Sequence, residues 1–271
     1  ARNVEVLTMY QELLRKITEE KPSYRQEEIQ WLLEHLGDPS PEIRDDLVFT
    51  SLARGIQEEL FTQEQFHFIA ETILSDKGVE KEIDKIGLST LERSFRALIY
   101  ANLLTADANQ HSIFHKGLKA EIRNVILNQG LHYLLKEKDT TGFSSQYGWV
   151  HAVAHGADLL TEVVCHPDFP NDKVHEGLNI LGQVFRRISI RFTDDEDWRL
   201  ARVLYEPILQ GKIEQEQVAS WIKTLDFPIE EREDFYKFSN LRSCLLEVYI
   251  QLDQRNFLQD ELKVAIQSFQ Y

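Results

Sequence analysis

Apolar residues recur along this chain at the i, i+3, i+4, i+7 spacing that lines one side of an α-helix. Val6, Tyr10, Leu13, Leu14 and Ile17 predict a first helix over about 3–20, closed by Lys21-Pro22-Ser23. Ile29, Trp31, Leu32, Leu33 and Leu36 predict a shorter one ending at Gly37, the residue that most easily takes a left-handed turn. Ser40 and Pro41 suit the N-cap and first position of the next helix. Thr62-Gln63-Glu64-Gln65 and Ser89-Thr90-Leu91-Glu92 are capping boxes that start two more. From the second box Phe95, Leu98, Ile99 and Leu103 share a face on which Asn102 is the polar exception. A helix over about 112–136 carries Ile113, Leu118, Ile122, Val125, Ile126 and Leu134. Polar and small residues then make a loop to Gln146, and a central helix is expected over about 145–165. A second loop, containing Pro167 and Pro170, precedes a helix over about 173–191. Three further helices after Thr193-Asp194-Asp195-Glu196-Asp197 offer Trp221, Phe227, Phe235, Leu245, Leu246, Tyr249 and Leu258 to a core.

Composition turns this rhythm into a fold class. With 271 residues, 42% of them hydrophobic, only 12 Gly and 7 Pro, and no sustained period-2 alternation, the chain is expected to be all-α. About a dozen helices, stacked as antiparallel pairs in one repeat-like domain over 1–271, form a short α-solenoid of the HEAT/armadillo kind, because a chain of this length exceeds one compact core. Asp38, Pro39 and Arg44 resemble the turn of a HEAT repeat, where an Asp and a Pro precede an Arg on the second helix.

Charge narrows the partners. The 45 acidic residues outnumber the 30 basic ones, for a net charge of -15, which repels phosphate backbones, so nucleic acid is not an expected partner. Two distant cysteines, Cys165 and Cys244, make no disulfide framework and fit a reducing cytoplasm. No apolar run is long enough to span a membrane, and the start at Ala1 lacks a secretory h-region, so a cytoplasmic protein without membrane contact is expected.

The chemistry concentrates in Tyr147-Gly148-Trp149-Val150-His151-Ala152-Val153-Ala154-His155-Gly156-Ala157-Asp158. If all of it is helical, His151, His155, Asp158 and Glu162 form one polar stripe about 60° wide. Val150, Val153, Ala157, Leu160 and Val164 form the apolar stripe opposite. Two imidazoles one turn apart with a carboxylate can hold a divalent ion such as zinc and leave a coordination position open, so His151, His155 and Asp158 are candidate metal ligands. The Glu of a His-Glu-x-x-His protease is absent.

Two other readings stand beside that one. The histidines can be structural, hydrogen-bonded to backbone or to carboxylates such as Asp158. Alternatively, the stripe binds an organic ligand, with Tyr147 and Trp149 as walls and Gly148 and Gly156 allowing close approach. Candidate ligand-binding residues are then Trp149, Glu162, Arg93 and Asp195. Arg93 has the fork to clamp a carboxylate, or it holds a structural one between helices. The acidic run at 194–197 also reads as a helix start, with Thr193 and Glu196 as its capping box. His111 and His115 read as surface residues, and adjacent Cys165 and His166 are poorly placed for a thiol mechanism.

Gly148-Trp149-Val150-His151, Ala154-His155 and Asp158-Leu159-Leu160, with Arg93-Ser94-Phe95 upstream and Asp195-Glu196 to Arg199-Leu200 downstream, resemble a bacterial family known as domain of unknown function twenty-seven eighty-five. The resemblance runs from the first helix to about Ile222. It implies an intact bacterial cytoplasmic protein that builds its site on His151, His155 and Asp158, and it names no substrate. Two functions follow as expectations. One is a metal- or ligand-binding site on a concave surface, extending to a metal-assisted hydrolase with a nearby carboxylate as base. The other is a non-enzymatic scaffold binding a protein or peptide on that surface.

Overall fold

Helical periodicity becomes helix over about two thirds of the chain; the structure, a computed structural model, describes residues 2–270, with side chains from Thr8 onward. The Val6 core assignment lies outside the described side chains. Helices α1 (Arg2–Ile17) and α2 (Gln26–Glu34) precede a π-helical stretch, Glu42–Phe49, that runs straight into α3 (Thr50–Gln57). Then come α4 (Gln63–Ile73), α5 (Leu88–Ala108) and α6 (Ala120–Lys136). A hairpin of two-residue strands, β1 (Phe143–Ser144) and β2 (Gly148–Trp149), leads to α7 (Ala152–Cys165). Helices α8 (Val174–Arg187), α9 (Glu196–Leu209), α10 (Gln215–Thr224), α11 (Arg232–Gln254) and α12 (Asp260–Ser268) complete the chain. The fold is all-α, and no helix among the described residues is long and apolar enough to cross a membrane.

Helix starts follow the sequence unevenly. Thr62 caps α4 as expected: its Oγ1 accepts from Gln65 N at 3.1 Å, and the Gln65 side chain accepts from Thr62 N at 3.0 Å. At α5 the reciprocal residue is Thr90, whose hydroxyl accepts from Gly87 N, so the helix opens ahead of the Ser89 box. The helix expected from 112 begins only at Ala120, because the segment before it turns around Lys116, which has a positive φ of 54°. Ile113, in that segment, is exposed, and so are Val125 on the outer side of α6 and Phe235 and Leu246 on α11.

Side-chain pairings give the helix directions. Phe49 meets Phe95 at 6.1 Å and Gln57 reaches Asn102, so the π-helical stretch and α3 run parallel to α5. Ser94 meets His155 while Asp107 meets His166, so α5 and α7 are parallel. Asp158 bonds Arg199 and Glu162 bonds Arg202, so α7 and α9 are parallel too, and α11 packs beside α9. Helix α6 runs antiparallel to α7 and, with α8, α10 and α12, makes a second row behind these. Parallel neighbours put their N-terminal ends on one side of the stack.

Helix α7 lies at the middle of the front row and is buried nearly all round, Ala152, Ala154, His155 and Leu159 included. The expected helix with one apolar face and one open polar face is therefore corrected. Gly156 serves packing here rather than ligand approach: a Cβ on it would lie 2.5 Å from Leu134 Cδ2 of α6. Gly156→Val is expected to destabilise the protein by about 1–3 kcal/mol through overpacking. Urea unfolding checks this, and an unchanged midpoint would contradict the close crossing of α6 and α7.

Candidate functional site

The site starts from a buried arginine in the π-helical stretch. Arg44 is fully buried; its Nη1 donates to Asp38 O at 2.7 Å, and its Nη2 donates to Tyr147 O and, at 3.0 Å, to Trp149 O. Its guanidinium also lies over the Phe95 ring, 5.1 Å from the centroid. These bonds hold the hairpin against the front row. Gly148 is required in it, since φ is +73° and a Cβ would come within 2.8 Å of Pro41. Trp149 is thereby fixed edge-on to Phe143 and stacked on His151, whose ring centroid is 4.7 Å away.

His151 does not belong to a helix face. It takes a left-handed conformation, φ 53°, as the N-cap of α7, and its ring turns toward the start of α9, where Nε2 lies 2.8 Å from Asp194 O. A carbonyl only accepts, so this nitrogen carries the proton and donates. Asp195, the N-cap of α9, is likewise left-handed at φ 64°. Two non-glycine residues in this sparsely populated region, facing each other across two helix starts, are the kind of strain that clusters at functional sites.

His155 is defined by Ser94. The Ser94 hydroxyl is 2.5 Å from Val150 O and 2.8 Å from His155 Nδ1. Its single proton goes to the carbonyl, so the serine oxygen must accept from Nδ1–H. That leaves the lone pair of the neutral ring on Nε2, which makes no hydrogen bond with any described residue and belongs to a side chain lining a cleft of about 620 Å³. Burial, reinforced by the charge of Arg199 and by His151, pushes the His155 pKa well below its ordinary 6.5. The unfolded chain takes up this proton below pH 6.5 while the folded ring stays neutral, so the stability it confers is complete above pH 6.5 and is lost as pH falls. Wild type should therefore lose up to about 1.4 kcal/mol per pH unit below that point relative to His155→Gln. Unfolding measured from pH 7.5 down to about 5.5 tests this, and parallel profiles would refute it.

The cleft opens at the N-terminal ends of the front row. Trp149, His151 and His155 line one side; Asp194, Asp195, Trp198, Arg199, Arg202 and Tyr205 line the other, with Asp45 and Glu247 at its flanks. Arg199, Arg202 and Tyr205 stand three residues apart on α9 and so share a face. Asp45 comes from the π-helical stretch, a rare local form that is frequent at functional sites. Its carboxyl is pushed upward, chiefly by burial and next by Asp46, against the opposing pull of Arg44 and His151.

The expected metal triad is corrected by what its members touch. Asp158 accepts from Arg199 Nε at 2.9 Å, from Arg199 Nη2, and from Arg202 Nη1 at 3.2 Å, so its carboxylate faces two guanidinium groups instead of the imidazoles. His151 is turned away onto Asp194 O. Among the described residues no three His, Cys, Asp or Glu side chains form a group that could hold a metal ion.

The other candidates divide. Trp149 and Asp195 line the cleft. Glu162 pairs with Arg202 at 3.8 Å beside α9 and does not line it. Arg93 is fully buried elsewhere, its Nε 2.7 Å from Glu137 Oε2, so it holds a structural carboxylate. Thr193 is not the reciprocal partner of Glu196, whose carboxylate accepts from Asp194 N at 3.0 Å. Cys165 is pushed up to about 12 by burial and nearby carboxylates, so it is a thiol at neutral pH. His166 is committed to Asp107 at 2.8 Å and to Asp168 N at 3.0 Å.

Asp45, Trp198, Arg202, Tyr205 and Glu247 were missed as site residues because only the packing of separate helices brings them together. Arg199 and Ser94 stood in the segments that carried the family resemblance, without a role.

The family model described as "Protein of unknown function (DUF2785)" matches residues 87–250. That span starts and ends later than the sequence reading placed it, and it holds every cleft-lining residue except Asp45. No curated protein and no solved structure matches the chain.

Proposed function

The chain belongs to the DUF2785 family, and we propose that it binds a small organic molecule in the cleft between α7 and α9, with His155 Nε2 accepting a hydrogen bond or a proton from it. The observation that carries this reading is the Ser94–His155 pair. Ser94 commits one ring nitrogen as a donor and leaves the other as a bare acceptor on a side chain that lines a cleft of about 620 Å³. Concave sites of a few hundred Å³ with aromatic walls and a few fixed polar groups are where small molecules bind. Trp149 and Trp198, 40% and 51% exposed, supply such walls. A neutral imidazole with a free lone pair is also the form that acts as a general base, which puts proton abstraction from a bound molecule within reach of this site.

The test is ¹⁵N NMR of the histidine ring nitrogens, with tryptophan emission followed in parallel. Choline, agmatine, glucose, adenosine, citrate and inorganic phosphate are titrated one at a time. At least one class is expected to move the His155 Nε2 resonance and quench tryptophan, and His155→Gln is expected to weaken that ligand about tenfold, the worth of one hydrogen bond to an otherwise unpaired buried group. A panel that moves neither signal overturns the reading.

A further inference from the structure

Resting on the ligand-binding reading above, we infer that the molecule this cleft receives is an organic cation, an alkylammonium or guanidinium group taken up by aromatic rings and free carboxylates. The inference comes from sorting the groups around the cleft into those already committed and those left over. The two cationic side chains there are committed. Arg199 grips Asp158 through Nε and Nη2, while Arg202 is shared between Asp158 and Glu162. The imidazole donors are spent too, His151 Nε2–H on Asp194 O and His155 Nδ1–H on Ser94 Oγ.

The acceptors are left over. The carboxylates of Asp45 and Asp195 line the cleft and make no hydrogen bond or ion pair with any described residue. His155, 6% exposed, lines the same cleft, and its Nε2 makes no hydrogen bond with any described residue. An anion would meet guanidinium groups whose charge is already paired with Asp158 and Glu162, together with unneutralised carboxylates, so it is repelled; a cation finds carboxylates that nothing else neutralises. Burial holds the charge of Asp45 at a cost that a neighbouring cation relieves.

The aromatic rings point the same way. Trp149, Trp198 and Tyr205 line this cleft, and indole and phenol faces attract ammonium and guanidinium groups. Aromatic faces with carboxylates beside them are the general arrangement for such ligands. The same chemistry comes from two sources, a free amine or a lysine or arginine side chain of a peptide, and the experiment separates them.

Calorimetry on the full chain uses choline and agmatine as cations, 3,3-dimethylbutan-1-ol as the uncharged isostere of choline, and inorganic phosphate. The cations are expected to bind, more weakly at raised salt, with the isostere about tenfold weaker. Asp45→Asn, which removes charge without bulk, and Trp198→Ala, at an exposed position, are each expected to weaken choline about tenfold while the unfolding midpoint stays put. A blocked Gly-Lys-Gly peptide binding more tightly than agmatine assigns the cation to a side chain, and the reverse assigns it to a free amine. Isostere or phosphate binding as tightly as choline while His155 Nε2 moves overturns the cation and leaves the ligand-binding reading standing. Cation binding that ignores both substitutions also overturns it, and no response at His155 to any compound removes both readings together.

Discussion

Arg93→Ala is expected to cost about 3–5 kcal/mol of stability, the range for stripping one partner from a buried ion pair. The pair is bidentate, Arg93 Nε and Nη2 to the two oxygens of Glu137 at 2.7 and 3.0 Å, and both side chains are essentially inaccessible. The remaining guanidinium protons go to the carbonyls of Lys81, Glu82 and Lys85, so this one side chain ties the segment before α5 to the end of α6. Removing it leaves a buried carboxylate without its counter-charge, held only by hydrogen bonds from the Tyr133 hydroxyl and Asp139 N, and strips three carbonyls of their donor together. Urea denaturation reads the loss. The double change Arg93→Met, Glu137→Leu should recover much of it, because replacing a buried pair by apolar groups is often neutral. A single-variant loss below about 1 kcal/mol would show that the pair is solvated in solution.

Arg44→Met should be nearly as costly, on the order of 4 kcal/mol, since charge-assisted hydrogen bonds contribute about 1.5–3 kcal/mol each and do not add fully. It should also loosen the cleft. Arg44 is what holds Tyr147 O and Trp149 O, so without it the hairpin loses its anchor and Trp149 its stack on His151. A red shift of tryptophan emission and loss of near-ultraviolet ellipticity are expected, together with weaker ligand binding. Arg44→Lys keeps the charge but not the planar fork, and should rescue only in part. Unchanged emission in Arg44→Met would mean that the hairpin is held by something else.

Both residues illustrate what a sequence conceals. Arg93 was legible as a residue that either clamps a ligand or holds a structural carboxylate, and only the arrival of Glu137 from the end of α6 decides for the second. Arg44 was legible as the helix arginine that follows a HEAT-like turn at Asp38 and Pro39. Its larger role depends on carbonyls 103 and 105 residues away. The stretch around His151 was expected to carry the site, and its residues Trp149, His151 and His155 line a cleft. Its chemistry was misread, because helical projection assumes a helix, and residues 143–151 form a hairpin and a left-handed cap instead. Gly148 was the available signal: a glycine directly after a polar loop marks a turn more than a helix interior, and in the structure it takes a positive φ.

Helix was determined by sequence alone, because the 3.6-residue period and the capping residues act within a few residues of one another, as at Thr62 and Gln65. The family was legible too, since its motif is a local string. What only the tertiary structure decided is which polar groups are spent and which are free. His155 presents a bare Nε2 acceptor because Ser94 of α5 accepts from its Nδ1–H, and Asp158 is withdrawn from any imidazole because Arg199 and Arg202 of α9 reach it first. These are competitions between groups 41 to 61 residues apart in the chain. No local pattern encodes their outcome, because hydrogen bonds and ion pairs form with whatever the packing of helices brings within about 3 Å.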